Sequence, residues 1–167
     1  KTDVSWARPA AQYAALFRKL PASLTRWLDA PGLLRWAMRF SGSTSASTLG
    51  KMTVSILRGE QGRQRKELHG LVDGLRNLSV DVVTLPGLML AAAAPAIRSA
   101  LKVPVVCTLS GEDIFLDDLS EPYRREAFDL IRAHSASVDA FIATTKYYAD
   151  HAAAHFGLQR DRIHFVP

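Results

Sequence analysis

Four consecutive residues, Ser110-Gly111-Glu112-Asp113, set a hydroxyl, a bare stretch of backbone and two carboxylates side by side. A small residue and a glycine let a ligand approach the main chain, while carboxylates can hold a hydroxylated substrate or cap a helix. Two other groups have similar character. Pro86-Gly87 again offers little side chain, and Thr144-Thr145-Lys146 brings two hydroxyls and a cation together, a fair contact for an anion or a sugar. The candidate binding residues are therefore Pro86, Gly87, Ser110, Gly111, Glu112, Asp113, Thr145 and Lys146. For two of them a plainer role stands beside the functional one: Asp113 capping the turn from Ile114 to Leu119, and Thr145 capping the helix that follows it.

Other chemistry is poorly served. Among His69, His134, His151, His155 and His164, only His151 and His155 stand four apart. They lack a third ligand and the glutamate of an H-E-x-x-H helix, so no metal is expected. No G-x-G-x-x-G follows a strand, no P-loop is present, and Ser110 lacks the preceding glycine of a nucleophile elbow. Dinucleotide oxidoreductase, NTPase and serine hydrolase readings all weaken. Cys107, the sole cysteine, is expected to pack within a strand rather than act as a nucleophile.

Elements must bring the candidates together. Apolar, β-branched runs at Val80 to Leu85, Val103 to Leu109, Val138 to Ala143 and Ile163 to Val166 alternate with helical patterns. Each interval has room for a helix and two turns, which predicts a parallel sheet with right-handed crossovers. The runs are nearly continuous in apolar residues, as for strands covered on both faces. Ligands of such sheets bind beyond the strands' carboxyl ends, where all three candidate groups fall.

Between the strands, Tyr123, Ala127, Leu130, Ile131 and His134 form one stripe behind a cap at Ser120. Tyr148, Ala152 and Phe156 form another, capped by Thr144 or Thr145 and stopped at Gly157. The helix after Leu85 opens at Pro86-Gly87 and is interrupted by Pro95.

The first 79 residues show helical patterns at Ser23 to Asp29, Pro31 to Phe40, Ser47 to Leu57 and Gly62 to Leu78. In the last, Leu68, Leu71, Val72, Leu75 and Leu78 oppose Arg63, Arg65, Lys66 and Arg76. The polar stretch from Ser41 to Thr48 reads as a loop or hinge. Around Leu16 to Phe40, Trp27, Leu28, Leu33, Leu34, Trp36 and Phe40 alternate with basic residues. This is either a helical pair packed on the sheet edge or a surface that lies on an anionic membrane.

With 167 residues, 48% of them hydrophobic, the chain can build one core-bearing domain. Lys and Arg number 21 against 16 Asp and Glu, a net +5, too mixed for a polyelectrolyte, and no motif supports nucleic-acid binding. One cysteine rules out an intrachain disulfide and suits a cytoplasmic setting, with peripheral membrane contact as the variant that the basic helices allow. No apolar run approaches the ~18 residues of a membrane span. The chain opens at Lys1 without a methionine and stops at Pro167 directly after a strand, so it is expected to be a piece of a larger protein.

The runs Asp81 to Pro86, Val103 to Asp113, Val138 to Asp150 and Arg162 to Pro167, in this order and spacing, resemble the amino-terminal domain of group 1 (family 4) glycosyltransferases. Leu57 to Leu68 is similar to the helix before that sheet in one bacterial subgroup. The resemblance spans residues 47–167, with 1–46 matching loosely. It implies a Rossmann-like α/β domain, the amino-terminal half of a GT-B fold, whose carboxy-terminal, donor-binding domain is absent here. It also implies transfer of a sugar, with retention and without an obligatory metal or other cofactor, from a nucleotide-sugar to a sugar or lipid-linked acceptor. This chain would then be the acceptor side and inactive alone, the donor binding mainly through the second domain. Ser110 stands where the family often has histidine, so no catalytic residue is assigned. The family's glycine-rich loop near its first strand has no counterpart around Val4 to Ala15, and is expected to precede Lys1 or to be missing from this chain. A standalone small-ligand binding module and a membrane-surface adaptor are the alternatives.

Overall fold

A computed structural model describes residues 46–167, which form one unit of the chain and are treated by themselves. The patterns at Ser23 to Asp29 and Pro31 to Phe40, the basic and aromatic stretch from Leu16, and most of the Ser41 to Thr48 segment lie outside the described residues. The end of that segment is described: Ala46, Ser47 and Thr48 open a helix rather than close a loop.

Helix α1 (Ala46–Leu57) is followed by a 3-10 turn (Gly59–Gln61) and α2 (Arg65–Arg76). Four strands then alternate with helices, from β1 (Val83–Leu85), a 3-10 segment (Leu88–Ala93) and α3 (Ala94–Leu101) to β2 (Val105–Leu109). After it come α4 (Glu112–Asp117), α5 (Tyr123–Ser135), β3 (Ala140–Ala143), α6 (Lys146–Phe156), a 3-10 turn (Arg160–Arg162) and β4 (Ile163–Phe165). The strands make one sheet in the order β1-β2-β3-β4, every pair parallel, as the βαβ rhythm requires.

Three strands start two or three residues later than the apolar runs suggest, and the chemistry at the amino ends explains this for β1 and β2. Pro104 has no N–H to extend a ladder, and its carbonyl accepts the Val83 N–H at 3.0 Å. The Val105 N–H is taken by the Asp139 carboxylate (2.8 Å), which also pairs with Arg98. Burial opposes the charge on Asp139, yet the bonds from Val105 and Arg98 hold its pKa below the usual carboxylate value. The Asp139 N–H meanwhile donates to the Val105 carbonyl at 2.7 Å, so one residue takes both polar groups of Val105 at the start of β2.

The strands are not equally covered on both faces. In β2, Val105, Cys107 and Leu109 are buried while Val106 and Thr108 are half-buried, so the continuous apolar run folds with a period of two. Cys107 lies within the core, as expected for a packing residue, and burial pushes its thiol up to about 12, with help from the charge of Glu112. Phe141, Ile163, Leu116, Ile131 and Phe156 fill the same core.

Helix α5 carries its buried stripe at Ala127 and Ile131 and lies against α1. Gly50 makes that approach possible: a Cβ there would sit 2.5 Å from the Tyr123 ring. Arg58 donates to Glu126 at 2.9 Å, and His134 meets the Leu57 carbonyl at 2.8 Å. Ser120 does not cap α5 with its side chain; its carbonyl accepts from Tyr123 and Arg124, and Pro122 holds the N-cap position. Pro95 stands in the first turn of α3 rather than interrupting a helix, since a missing N–H costs nothing there. On α2 only Val72 is buried. Leu68 and Leu75 are partly covered, while Leu71 and Leu78 are exposed, because a helix at the rim of a unit needs a narrower apolar stripe than its sequence provides.

Candidate functional site

All four strands run the same way, so the loops leaving β1, β2 and β3 emerge along one edge, carrying Pro86-Gly87, Ser110 to Asp113 and Thr144 to Lys146. Ser110 is exposed and Gly111 half-buried, so this turn is not sealed inside the core. Gly111 occupies the left-handed region at φ 89° and serves as N-cap of α4. Apart from its chain neighbours Ser110 and Glu112, nothing lies within 4 Å of where its Cβ would be. The glycine is therefore required by its backbone angle, and the room beside it stays open to an incoming group.

Glu112 joins the first two loops. Its Oε1 accepts the Leu88 N–H (2.8 Å) and the Ser110 hydroxyl (3.1 Å), and its Oε2 accepts the Ser110 N–H (3.0 Å). The Ser110 hydroxyl is also 3.1 Å from the Pro86 carbonyl. One carboxylate thus satisfies the first amide of the 3-10 segment after β1 and the amide that ends β2. Gly87 is buried and extended, and its role is space: a Cβ would stand 2.4 Å from Glu112 Oε1.

Asp113 faces the other way. Its Oδ1 accepts the Tyr148 hydroxyl at 2.7 Å, and its Oδ2 is 3.2 Å from His151 Nε2. Burial works against its ionisation, but the bonds from Tyr148, from its own N–H and from His151 hold its pKa below the ordinary 3.8. Tyr148 is pushed in the opposite direction, by burial and by donating to that carboxylate. Asp113 therefore does not cap its helix; it ties α4 to α6.

A second rung repeats the first one turn along. Asp117 Oδ2 is 3.2 Å from His155 Nε2, close enough to pair with a protonated imidazole though not aligned as a hydrogen bond, and Asp117 also accepts from Arg124 at 2.9 Å. The two imidazoles stack with centroids 5.1 Å apart. Each of α4 and α6 spaces its two groups four residues apart, which is why the rungs coincide. That double spacing, Asp113 with Asp117 and His151 with His155, was present in the sequence and is the signal by which His151 and His155 could have been paired with α4; nothing in it marked Tyr148. Among the described residues no group of three or more His, Cys, Asp or Glu is arranged to hold a metal ion.

Thr145 caps α6, its hydroxyl accepting the Tyr148 N–H at 3.0 Å, and Gly157 ends that helix at φ 68°, both as read from the sequence. Lys146 holds its ammonium 5.8 Å from the Phe165 ring centroid, joining the starts of α6 and the end of β4. Pro86, Thr145 and Lys146 are exposed, so every candidate but Gly87 reaches the surface of this edge.

Two open grooves lie away from these loops. One, of about 270 Å³, runs along α5 between Arg124, Arg125, Phe128 and Arg132; the other, of about 250 Å³, lies by Arg76, Leu78 and Val103. No helix among the described residues is long and apolar enough to cross a membrane.

No curated protein and no solved structure matches the chain. A family model does: the one described as Glycosyltransferase Family 4 matches residues 49–167, which takes in the whole four-stranded sheet and all three loops of its carboxyl edge. With that span, most of its length, the chain belongs to Glycosyltransferase Family 4.

Proposed function

We propose that this Rossmann-like domain is the acceptor-side half of a retaining glycosyltransferase, which moves a sugar from a nucleotide-sugar to an acceptor while a second, carboxy-terminal domain holds most of the donor. The family assigns the glycosyltransferase class. The observation that carries the finer reading is the open backbone at Gly111. The turn is held from below by Glu112, is bordered by hydroxyls and carboxylates, and has free space where any other residue would carry its side chain.

The chemistry explains why such an edge is one wall of a site. A glycosyl transition state gathers positive charge on the sugar ring while negative charge grows on the departing phosphate, and fixed dipoles in a dry cleft stabilise both. Glu112 spends its lone pairs on the chain's own amides, so its role is to hold Ser110 and Gly111 in place rather than to take a proton. The Ser110 hydroxyl and the Gly111 backbone are the polar groups this turn offers to an acceptor. No residue of this chain is assigned as acid or base.

The division of labour is tested by incubating the purified 167-residue chain with UDP-glucose and GDP-mannose and following nucleotide release. No turnover is expected, whereas a polypeptide that joins the chain to a donor-binding domain should transfer sugar. Turnover by the chain alone would sink the proposal. Vesicle binding that survives high salt and depends on Trp27 and Trp36 would instead favour a membrane-surface adaptor, since salt screens purely electrostatic attachment.

A further inference from the structure

Most large apolar side chains of this unit are buried, yet two of the most exposed stand near the Asp113–His151 pair, Ile114 next to Asp113 and Tyr147 one helical turn before His151. Tyr147 is 78% exposed and Ile114 75% exposed. Tyr147 stands in the first turn of α6, immediately beyond the carboxyl end of β3. Its ring lies almost parallel to the His151 imidazole, 8° between planes and 6.1 Å between centroids, and His151 is in turn held by Asp113. With so much of its surface uncovered, Tyr147 keeps a ring face toward solvent. The side chain is neither packing filler nor a partner in the Asp113 network, which uses the neighbouring Tyr148.

From this arrangement we infer that Tyr147 is a stacking platform for a pyranose ring of the acceptor, which lies on the ring face turned away from His151, with the Tyr147 hydroxyl as the polar group beside it. The inference rests on the transferase reading above and adds to it the acceptor class and a specificity-determining residue. The chemistry selects a sugar ring over other occupants. A pyranose presents a face with several C–H bonds, which lies well on the electron-rich face of an aromatic ring, and carries hydroxyls around its rim, which need donors and acceptors at the platform's margin. A phosphate would need cations here, and Lys146, the nearest one in sequence, is held over Phe165. A lipid tail would need a wider apolar floor than one tyrosine next to an ionic pair supplies.

The test uses the 167-residue chain and three probes, methyl α-D-glucopyranoside, methyl α-D-mannopyranoside and methyl β-D-galactopyranoside, followed by saturation-transfer NMR. At least one should receive saturation mainly on the protons of a single ring face. Tyr147→Ala should weaken that binding about tenfold, while Tyr147→Phe keeps most of it, because stacking needs the ring and not the hydroxyl. Both variants lie at an exposed position, so they should fold, and unchanged circular dichroism verifies this. Equal binding by Tyr147→Ala, equal loss in Tyr147→Ala and Tyr147→Phe, or no saturation of any of the three pyranosides would each overturn the inference. In a transferring enzyme, Tyr147→Ala should raise the acceptor KM about tenfold with kcat within about twofold of wild type. An unchanged acceptor KM alongside intact turnover would remove the platform and leave the transferase reading. Pyranoside binding through Tyr147 by a protein that never transfers would do the reverse.

Discussion

Glu112 and Asp113 are adjacent carboxylates on one short helix, yet they are held by different kinds of partner. Glu112 faces β1 and accepts two backbone amides, from Leu88 and Ser110, with the Ser110 hydroxyl as its one side-chain donor. Asp113 faces α6 and is bound by side chains, the Tyr148 hydroxyl and the His151 imidazole. Amides do not titrate and cannot be substituted, so the Glu112 side of the turn is fixed by the fold. Side-chain partners can be changed by mutation, so the Asp113 side is adjustable. The open backbone of Gly111 stands between a rigid wall and a tunable one.

Removing the rigid wall should have the largest effect. Glu112→Ala leaves two backbone N–H groups without their acceptor at a partly exposed rim, and should cost about 2 kcal/mol in urea unfolding. Glu112→Gln keeps the shape but loses the charge and one acceptor oxygen, at about half that cost. If the wall also positions Ser110 and Gly111 for an acceptor, both variants in a transferring enzyme should lower kcat more than their residual instability at assay temperature explains. A loss of stability below about 0.5 kcal/mol for Glu112→Ala would mean that water replaces the carboxylate freely and that the wall is not rigid.

The next effect in size sharpens the same point. Gly87→Ala places a Cβ 2.4 Å from Glu112 Oε1, so the carboxylate must move. The φ of Gly87 is extended, hence any cost is steric and not conformational. About 1 to 2 kcal/mol is expected in the wild-type background, and much less when Glu112 is already alanine, because the obstacle is then gone. A double-mutant cycle reads this directly, and additive losses would show that Gly87 serves something other than the Glu112 bridge.

How far the sequence disclosed these walls differs between them. The parallel strands, their carboxyl ends, the Thr145 cap and the Gly157 stop were legible, because β-branched runs, capping hydroxyls and left-handed glycines act locally. Strand starts were not, since whether Val80 or Val103 pairs depends on what stands opposite, and Pro104 and Asp139 decide that from another part of the chain. The stripe on α2 was read too broadly for a related reason: the sequence shows that Leu71 and Leu78 are apolar but not that about half of each stays exposed. At the site, the residue types in Ser110 to Asp113 pointed to a ligand edge. Their partners, 24 residues away at Leu88 for Glu112 and 35 and 38 residues away at Tyr148 and His151 for Asp113, could only come from the fold. Gly87 shows the limit well. Its glycine suggests room for a ligand, whereas the structure uses it as a gap for a carboxylate.

The smallest expected effects belong to the tunable wall, and their sign follows from the direction of the pKa. Asp113 titrates below its ordinary 3.8 in the folded protein. The unfolded chain therefore binds its proton at a higher pH than the folded one, and stability falls as pH drops from about 4 through the lowered value. Above that window the contribution is complete. Asp113→Asn should then cost about 1 kcal/mol at neutral pH and progressively less as the pH falls through the lowered value. Tyr148→Phe removes one donor and leaves His151, so it should cost roughly 0.5 to 1 kcal/mol at neutral pH and move the Asp113 titration back toward 3.8 without abolishing the shift. The shift is read by carboxyl-carbon NMR of Asp113 between pH 2 and 6. Glu112→Gln should leave that titration curve nearly in place, since its bonds run to the opposite loop. A large movement of the Asp113 curve on changing Glu112 would show that the two walls are one network, and the contrast between backbone-held and side-chain-held carboxylates would fail.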